Sequence, residues 1–204
     1  MKSKKNLLIQ LNSLPHFSKD TIYQLASQMG LAKTTTDTYI SRFLKYKEIL
    51  RLKRGLYVSD DYFEKNRLDI SYSFFLANII RSPSYVSSWA ALQYYNLATE
   101  AIHTITSVTP KVTRDYESKA GNFAYQSINN ESFSGFSLFK GKFDFFIASP
   151  AKALFDLLYF RTRQFRGIKK LAGIKKLTKE LRIDIDEMEA GEQKKFYSLI
   201  SKFV

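Results

Sequence analysis

The chain has 204 residues, 45% of them hydrophobic and 25% charged, a balance that fits one or two folded domains and excludes a disordered chain. It holds no cysteine, which rules out disulfides and thiolate metal sites, and no apolar run approaches the roughly 18 residues of a membrane span. The formal net charge is +13, and the natural partner class for such a surface is a polyanion, because binding releases counterions condensed on phosphates.

Met1-Lys2-Ser3-Lys4-Lys5 and the short run Leu7-Leu8-Ile9 lack the length and cleavage site of a secretion signal, so a soluble, cytoplasmic chain with no membrane partner is expected. Leu7, Leu8, Leu11 and Leu14 form one apolar stripe of a first helix, which Pro15 should end. Ser18 is a candidate N-cap for a second helix carrying Ile22, Leu25, Ala26 and Met29, with Gly30 in C-cap position. Thr34 and Asp37 have capping-box spacing and open a third helix that runs to about Lys47, with Ile40, Phe43 and Leu44 inward. Ile49–Leu52, a turn at Lys53-Arg54-Gly55, and Leu56–Val58 predict a hairpin. Ser59 to Arg67 reads as a linker, which divides the chain into a domain over 1–66 and a second over 67–204.

The second domain opens with a helix over Ile70–Ile80, broken by Pro83, and a further helix over Ser84–Leu97 that carries Val86, Ala90 and Tyr94. From Ile102 to Ile147 the chain is β-rich, with strands expected at Ile105–Thr109, Phe123–Tyr125 and Phe143–Ile147. Ser149 caps a helix with Pro150 at its first position and Leu154, Leu157 and Leu158 buried. A basic tract from Arg161 to Arg182, which repeats Gly-Ile-Lys-Lys-Leu at Gly167 and Gly173, leads to a last helix near Glu187–Phe203. The expected class is α+β: an N-terminal winged helix-turn-helix, then helices flanking a small antiparallel sheet.

A short Gly-containing turn lets the third helix cross the second and project outward. Its start is rich in hydroxyls (Lys33, Thr34, Thr35, Thr36, Thr38), and Tyr39, Arg42, Lys45 and Tyr46 lie opposite the apolar stripe. Residues at the start of such a helix reach base edges, while hydroxyls and cations hold phosphate. Thr35, Thr36, Thr38, Tyr39 and Arg42 are therefore expected in or beside the major groove. Lys33, Lys45 and the hairpin cations Arg51, Lys53 and Arg54 are expected on the backbone. Plainer readings exist for each feature: Thr34 as a mere cap, and the basic hairpin as a solvated edge.

Arg161, Arg163, Arg166, Lys169, Lys170, Lys175 and Lys176 form a second cationic stretch. It is either another polyanion contact or the wet face of a helix buried through Leu171, Ile174, Leu177 and Leu181. His16 and His103 lack ligand spacing, and no phosphate-binding loop is present, so no cofactor, metal or catalytic residue is expected. Asp184-Ile185-Asp186-Glu187 reads as charge at a helix start. A nuclease using Asp144 and Asp156 is the enzyme alternative.

Several strings together resemble the AbiEi-type antitoxins of bacterial type IV toxin–antitoxin (abortive infection) systems. They are Arg51-Leu52-Lys53-Arg54-Gly55-Leu56-Tyr57, Pro83-Ser84-Tyr85-Val86-Ser87-Ser88-Trp89-Ala90-Ala91-Leu92, Thr106-Ser107-Val108-Thr109-Pro110 and Ala148-Ser149-Pro150-Ala151-Lys152-Ala153-Leu154-Phe155-Asp156-Leu157-Leu158. The resemblance runs from about Lys5 to Phe160. It implies a phage-defence antitoxin that represses its own operon at inverted repeats and counteracts a nucleotidyltransferase toxin through its C-terminal domain. The residues alone also allow a transcriptional regulator whose C-terminal domain senses a ligand or mediates oligomerisation.

On this reading Arg54→Ala should weaken binding about equally across DNA sequences and lower the salt slope by roughly one. Binding measured over a salt series checks this, and an unchanged slope counts against a phosphate contact at the hairpin.

Overall fold

The computed structural model describes residues 2–99, 103–168 and 170–203. The first part comprises α1 (Lys2–Leu11), β1 (Phe17–Ser18), α2 (Lys19–Gln28), α3 (Lys33–Lys45), β2 (Ile49–Lys53) and β3 (Leu56–Ser59). α1 ends ahead of Pro15, and its Leu7 and Leu11 are fully buried against Ile22, Ala26, Ile40 and Phe43. Ser18 caps α2 in a reciprocal box: its hydroxyl accepts from the Thr21 N–H at 3.0 Å, and Thr21 Oγ1 accepts from the Ser18 N–H at 3.4 Å. Gly30, at φ +70°, turns the chain out of α2 while the Leu31 N–H bonds the Ala26 carbonyl at 2.9 Å, the closure a left-handed C-terminal residue provides. The strands make an antiparallel sheet in the order β1-β3-β2.

The second part begins with α4 (Asp60–Asn66) and α5 (Ile70–Ile80). The expected linker is therefore a helix: Ser59 caps it by accepting from the Tyr62 N–H at 3.1 Å, and Asp60 and Asp61 sit in its first turn, where carboxylates favour the dipole. Then come β4 (Tyr85–Val86), α6 (Ser88–Tyr94), β5 (Thr104–Thr109), β6 (Arg114–Ser118), β7 (Gly121–Ser127), β8 (Phe136–Phe139), β9 (Phe145–Ala148), α7 (Pro150–Arg161), α8 (Leu171–Glu180) and α9 (Ala190–Ile200). The class is α+β, but the sheet is neither small nor purely antiparallel. It has six strands in the order β6-β7-β5-β4-β9-β8, with β5–β7 and β4–β9 parallel.

The helix expected over Ser84–Leu97 is divided. Tyr85 and Val86 are both buried and join the sheet as β4. α6 then starts with its Ala90 N–H satisfied by Thr106 Oγ1 of β5 at 3.1 Å, with no side-chain cap from Ser87. Ser87 instead donates to Asp156 at 2.7 Å. At Pro150 the reading and the structure agree: Ser149 caps α7, and Leu154, Leu157 and Leu158 are buried. Of the first copy of the basic repeat, Gly167, Ile168 and Lys170 lie ahead of α8, and the second copy lies within α8.

The two parts meet in the β2–β3 hairpin. Ile49 and Tyr57 pack with the N-terminal helices, whereas Leu50, Leu52, Leu56 and Val58 belong to the larger core. Alternate residues of a strand face opposite sides, so each face of the hairpin contributes side chains to a core, with Arg51 left exposed. Two further contacts fasten this junction. The Tyr72 hydroxyl donates to the Pro15 carbonyl at 2.7 Å, and the His16 ring stands edge-on to Phe75 at 5.4 Å. Burial lowers the His16 pKa from its ordinary value.

Leu52→Ala should cost about 2–5 kcal/mol and lower the stability of both parts together. Denaturation followed by Trp89 fluorescence and by amide exchange at Leu7, Ile22 and Phe43 should give one coincident transition. Two separated transitions would contradict a shared hairpin.

Candidate nucleic-acid interface

α3 buries Thr36, Ile40 and Phe43, and the opposite side of its turn pattern presents Thr34, Thr38, Ser41, Arg42 and Lys45, all exposed. Residues three and four apart share a helix face, which places these hydroxyls and cations on one continuous strip. Thr35 and Tyr39 flank it half-buried, with the Tyr39 ring 6.4 Å from Phe43. Ser41 escaped notice in the sequence because no motif marks it; its place on the strip follows from its spacing to Thr38 and Lys45.

Two expectations change here. Thr36 is 1% exposed and its hydroxyl donates to the Ala32 carbonyl at 3.0 Å, so it is part of the core side of α3 and cannot reach a groove. The capping box at Thr34 and Asp37 does not form: Ala32 is the N-cap, without a side-chain bond. Asp37 is occupied elsewhere, accepting from the Tyr23 hydroxyl at 2.6 Å and pairing with Lys19 at 2.9 Å.

That trio clamps α3 to α2. The Lys33 and Lys19 ammonium groups each stand 5.1 Å from the Tyr23 ring centroid, within cation–π range. Hydrogen bonds from Tyr23 and Lys19, with the charges of Lys19 and Lys33, hold the Asp37 carboxyl below its usual range. Lys19 is correspondingly raised, chiefly by Tyr23 and Asp37. Asp20, Asp37 and Glu48 are the only acids before Asp60. Two of them are spent on lysines, since Glu48 pairs with Lys4 at 2.9 Å. The α3 strip therefore keeps its positive charge.

Beside it the hairpin turns at Arg54-Gly55, with Gly55 at φ +79°, a conformation that favours glycine. The Gly55 carbonyl accepts from the Lys19 N–H at 3.0 Å, which ties the turn to the start of α2. Arg51 and Arg54 are exposed. Lys53 is half-buried, and its ammonium donates to the Ile80 carbonyl at 2.6 Å, which anchors it at the junction with the second part.

The cations of the second tract (Arg161, Arg163, Arg166, Lys170, Lys175 and Lys176) are exposed, while Lys169 lies outside the described residues. Beneath α8, Ile174 and Leu181 are buried and Leu177 is half-buried, but Leu171 remains 46% exposed. Asp184 caps a short helical turn at Ile185–Glu187 by accepting from the Asp186 N–H at 2.9 Å. The Asp144 and Asp156 pairing fails. Asp156 is fully buried, accepting from Lys152 at 2.6 Å, Ser87 at 2.7 Å and Tyr85 at 3.0 Å. Burial pushes its carboxyl upward against the pull of Lys152. Asp144 is exposed and accepts from the Gly141 N–H at 3.1 Å.

No known protein-family model matches the chain, and a search of characterised proteins finds no match either.

The Asp37 carboxyl should titrate below the ordinary value of about 3.9, and Tyr23→Phe should move its midpoint back up. A depressed carboxyl stabilises the fold above the unfolded-state value, and that contribution is lost as pH falls through the folded one. Side-chain carboxyl NMR checks this; an unperturbed midpoint would remove the clamp.

Proposed function

We propose that this chain is a DNA-binding antitoxin that represses its own operon. In this reading α1 to β3 form a winged helix-turn-helix and α3 is its recognition helix. Thr34, Thr38, Ser41, Arg42 and Lys45 face a major groove, while Arg51 and Arg54 on the hairpin hold flanking phosphates. The observation that carries it is the α3 strip. Hydroxyls and cations occupy one exposed face of a helix held along its flank by Tyr23, Asp37 and Lys19. Rigid support of this kind lets a few side chains reach base edges in register. The operator is double-stranded DNA with inverted repeats, and the second part of the chain opposes a nucleotidyltransferase toxin. The repressor and toxin assignments rest on the AbiEi-like strings.

A specific observation favours a second reading, a regulator that senses a ligand. A cleft of about 500 Å³ is walled by Phe75, Ile79, Phe136 and Phe146. The Ser84 hydroxyl and the Asn78 amide nitrogen in its lining are buried without a hydrogen-bond partner, and unpaired polar groups of this kind are costly unless something satisfies them.

Arg42→Ala should cut affinity for the chain's own upstream DNA by about 5- to 150-fold, the loss of roughly 1–3 kcal/mol expected for a base contact, with a much smaller loss on random duplex. Equal losses on both would assign Arg42 to the backbone. Co-expression of the full chain with a neighbouring nucleotidyltransferase should restore growth; failure to rescue would favour the ligand-sensing regulator. Full-length protein is required, because cutting after Asn66 removes the hairpin from the larger core.

A further inference from the structure

Where β2 packs against β6, four cations are anchored to neighbouring backbone carbonyls and to one phenol. Lys53 donates to the Ile80 carbonyl at 2.6 Å, Lys111 to the Ser82 carbonyl at 2.5 Å, and Arg81 to the Val112 carbonyl. Arg81 also reaches the Tyr116 hydroxyl at 3.3 Å, which Arg114 approaches from its own strand. Carbonyls and a phenol orient these groups without neutralising them. Among the described residues no carboxylate lies in ion-pair range of any of the four. Burial alone would raise the Tyr116 pKa, yet hydrogen bonds from Arg81 and Arg114 and the charges of Arg81 and Lys53 outweigh it and hold the phenol below its usual value. Assembling like charges without counter-charges is unfavourable in the free protein, and an anion relieves it.

The location selects the anion. Lys53 is adjacent in sequence to Arg54 at the hairpin turn. The segment Lys111–Arg114 between β5 and β6 is wholly exposed, Val112 to 72%. We infer that Lys53, Arg81, Lys111 and Arg114 form a phosphodiester-binding site that extends the DNA contact of the hairpin onto the second part of the protein. This inference rests on the DNA-binding reading of α3 and adds a footprint contributed by the β5–β6 loop. Arginine can pair bidentately with phosphate, and Arg114 is exposed to do so.

The test is binding of the full chain to a short random-sequence duplex, followed by fluorescence anisotropy over a salt series. Arg114→Gln and Lys111→Gln should each lower the slope of log Kobs against log salt by about one, and together by about two. Lys194→Gln, on the exposed side of α9, should leave the slope unchanged. Both test positions are exposed, and an unaltered thermal melt confirms the fold of each variant. If wild-type protein binds and both variants keep its slope, the site is overturned while the α3 reading stands. If Lys194→Gln lowers the slope equally, the effect is one of net charge and the site is likewise overturned. If wild-type protein binds no duplex at any salt, both readings fall.

Discussion

Alternate residues of the β2–β3 hairpin look into different cores, and the placement of α3 depends on that. Ile49 and Tyr57 complete the packing under α1, α2 and α3, while Leu50, Leu52, Leu56 and Val58 are part of the larger core. A strand with one buried face already resists slipping, because a one-residue shift turns its apolar side chains to solvent. A hairpin that sends side chains into two cores has its register fixed by two sets of contacts at once. The helical head is consequently not a bead on a tether. Its orientation relative to the six-stranded sheet is set by the same side chains that close its own core, and the Tyr72–Pro15 bond and His16–Phe75 contact reinforce that setting.

This arrangement explains how the charge of the first part is distributed. The acids at Asp37 and Glu48 are paired on the surface of the helical head with Lys19 and Lys4. Apart from the lysine-paired Asp37, the side chains facing outward on the α3 strip and the hairpin turn are basic or hydroxylic. The junction behind the hairpin adds cations held by backbone carbonyls. A protein binding a neutral ligand would have little reason to leave these charges uncompensated, since like charges repel in the free state. Electrostatics and packing therefore agree, and the rigid hairpin presents both sets of cations in fixed relation.

Much of the framework was legible in the sequence where a local rule decides the outcome. Ile70–Ile80 is an apolar run bounded by Asp69 and Pro83, and it forms α5 with Asp69 as cap. Ser149-Pro150 opens α7 and Ser18 caps α2 as their chemistry dictates. Reading failed where distant partners intervene. Tyr85-Val86 has helix-compatible spacing to Ala90, but β5 and β9 claim it as a strand. β6 and β8 are edge strands of mixed polarity with little periodic signal. Asp37 stands at capping distance from Thr34, yet Tyr23 and Lys19 hold it instead. The outward strip of α3 was mostly visible from helical spacing. The cluster around Tyr116 was not, because it joins residues from Lys53 to Arg114 that only the meeting of β2 and β6 brings together.

Mapping the amide resonances of the full chain during titration with a short duplex tests the central claim most directly. The account predicts that shifts concentrate at Thr34, Thr38, Ser41 and Arg42, at the Arg54-Gly55 turn, and along Lys111–Arg114, while the buried amides of α5 stay unmoved. Shifts confined to the tract from Arg161 to Arg182, with α3 and the hairpin silent, would contradict it.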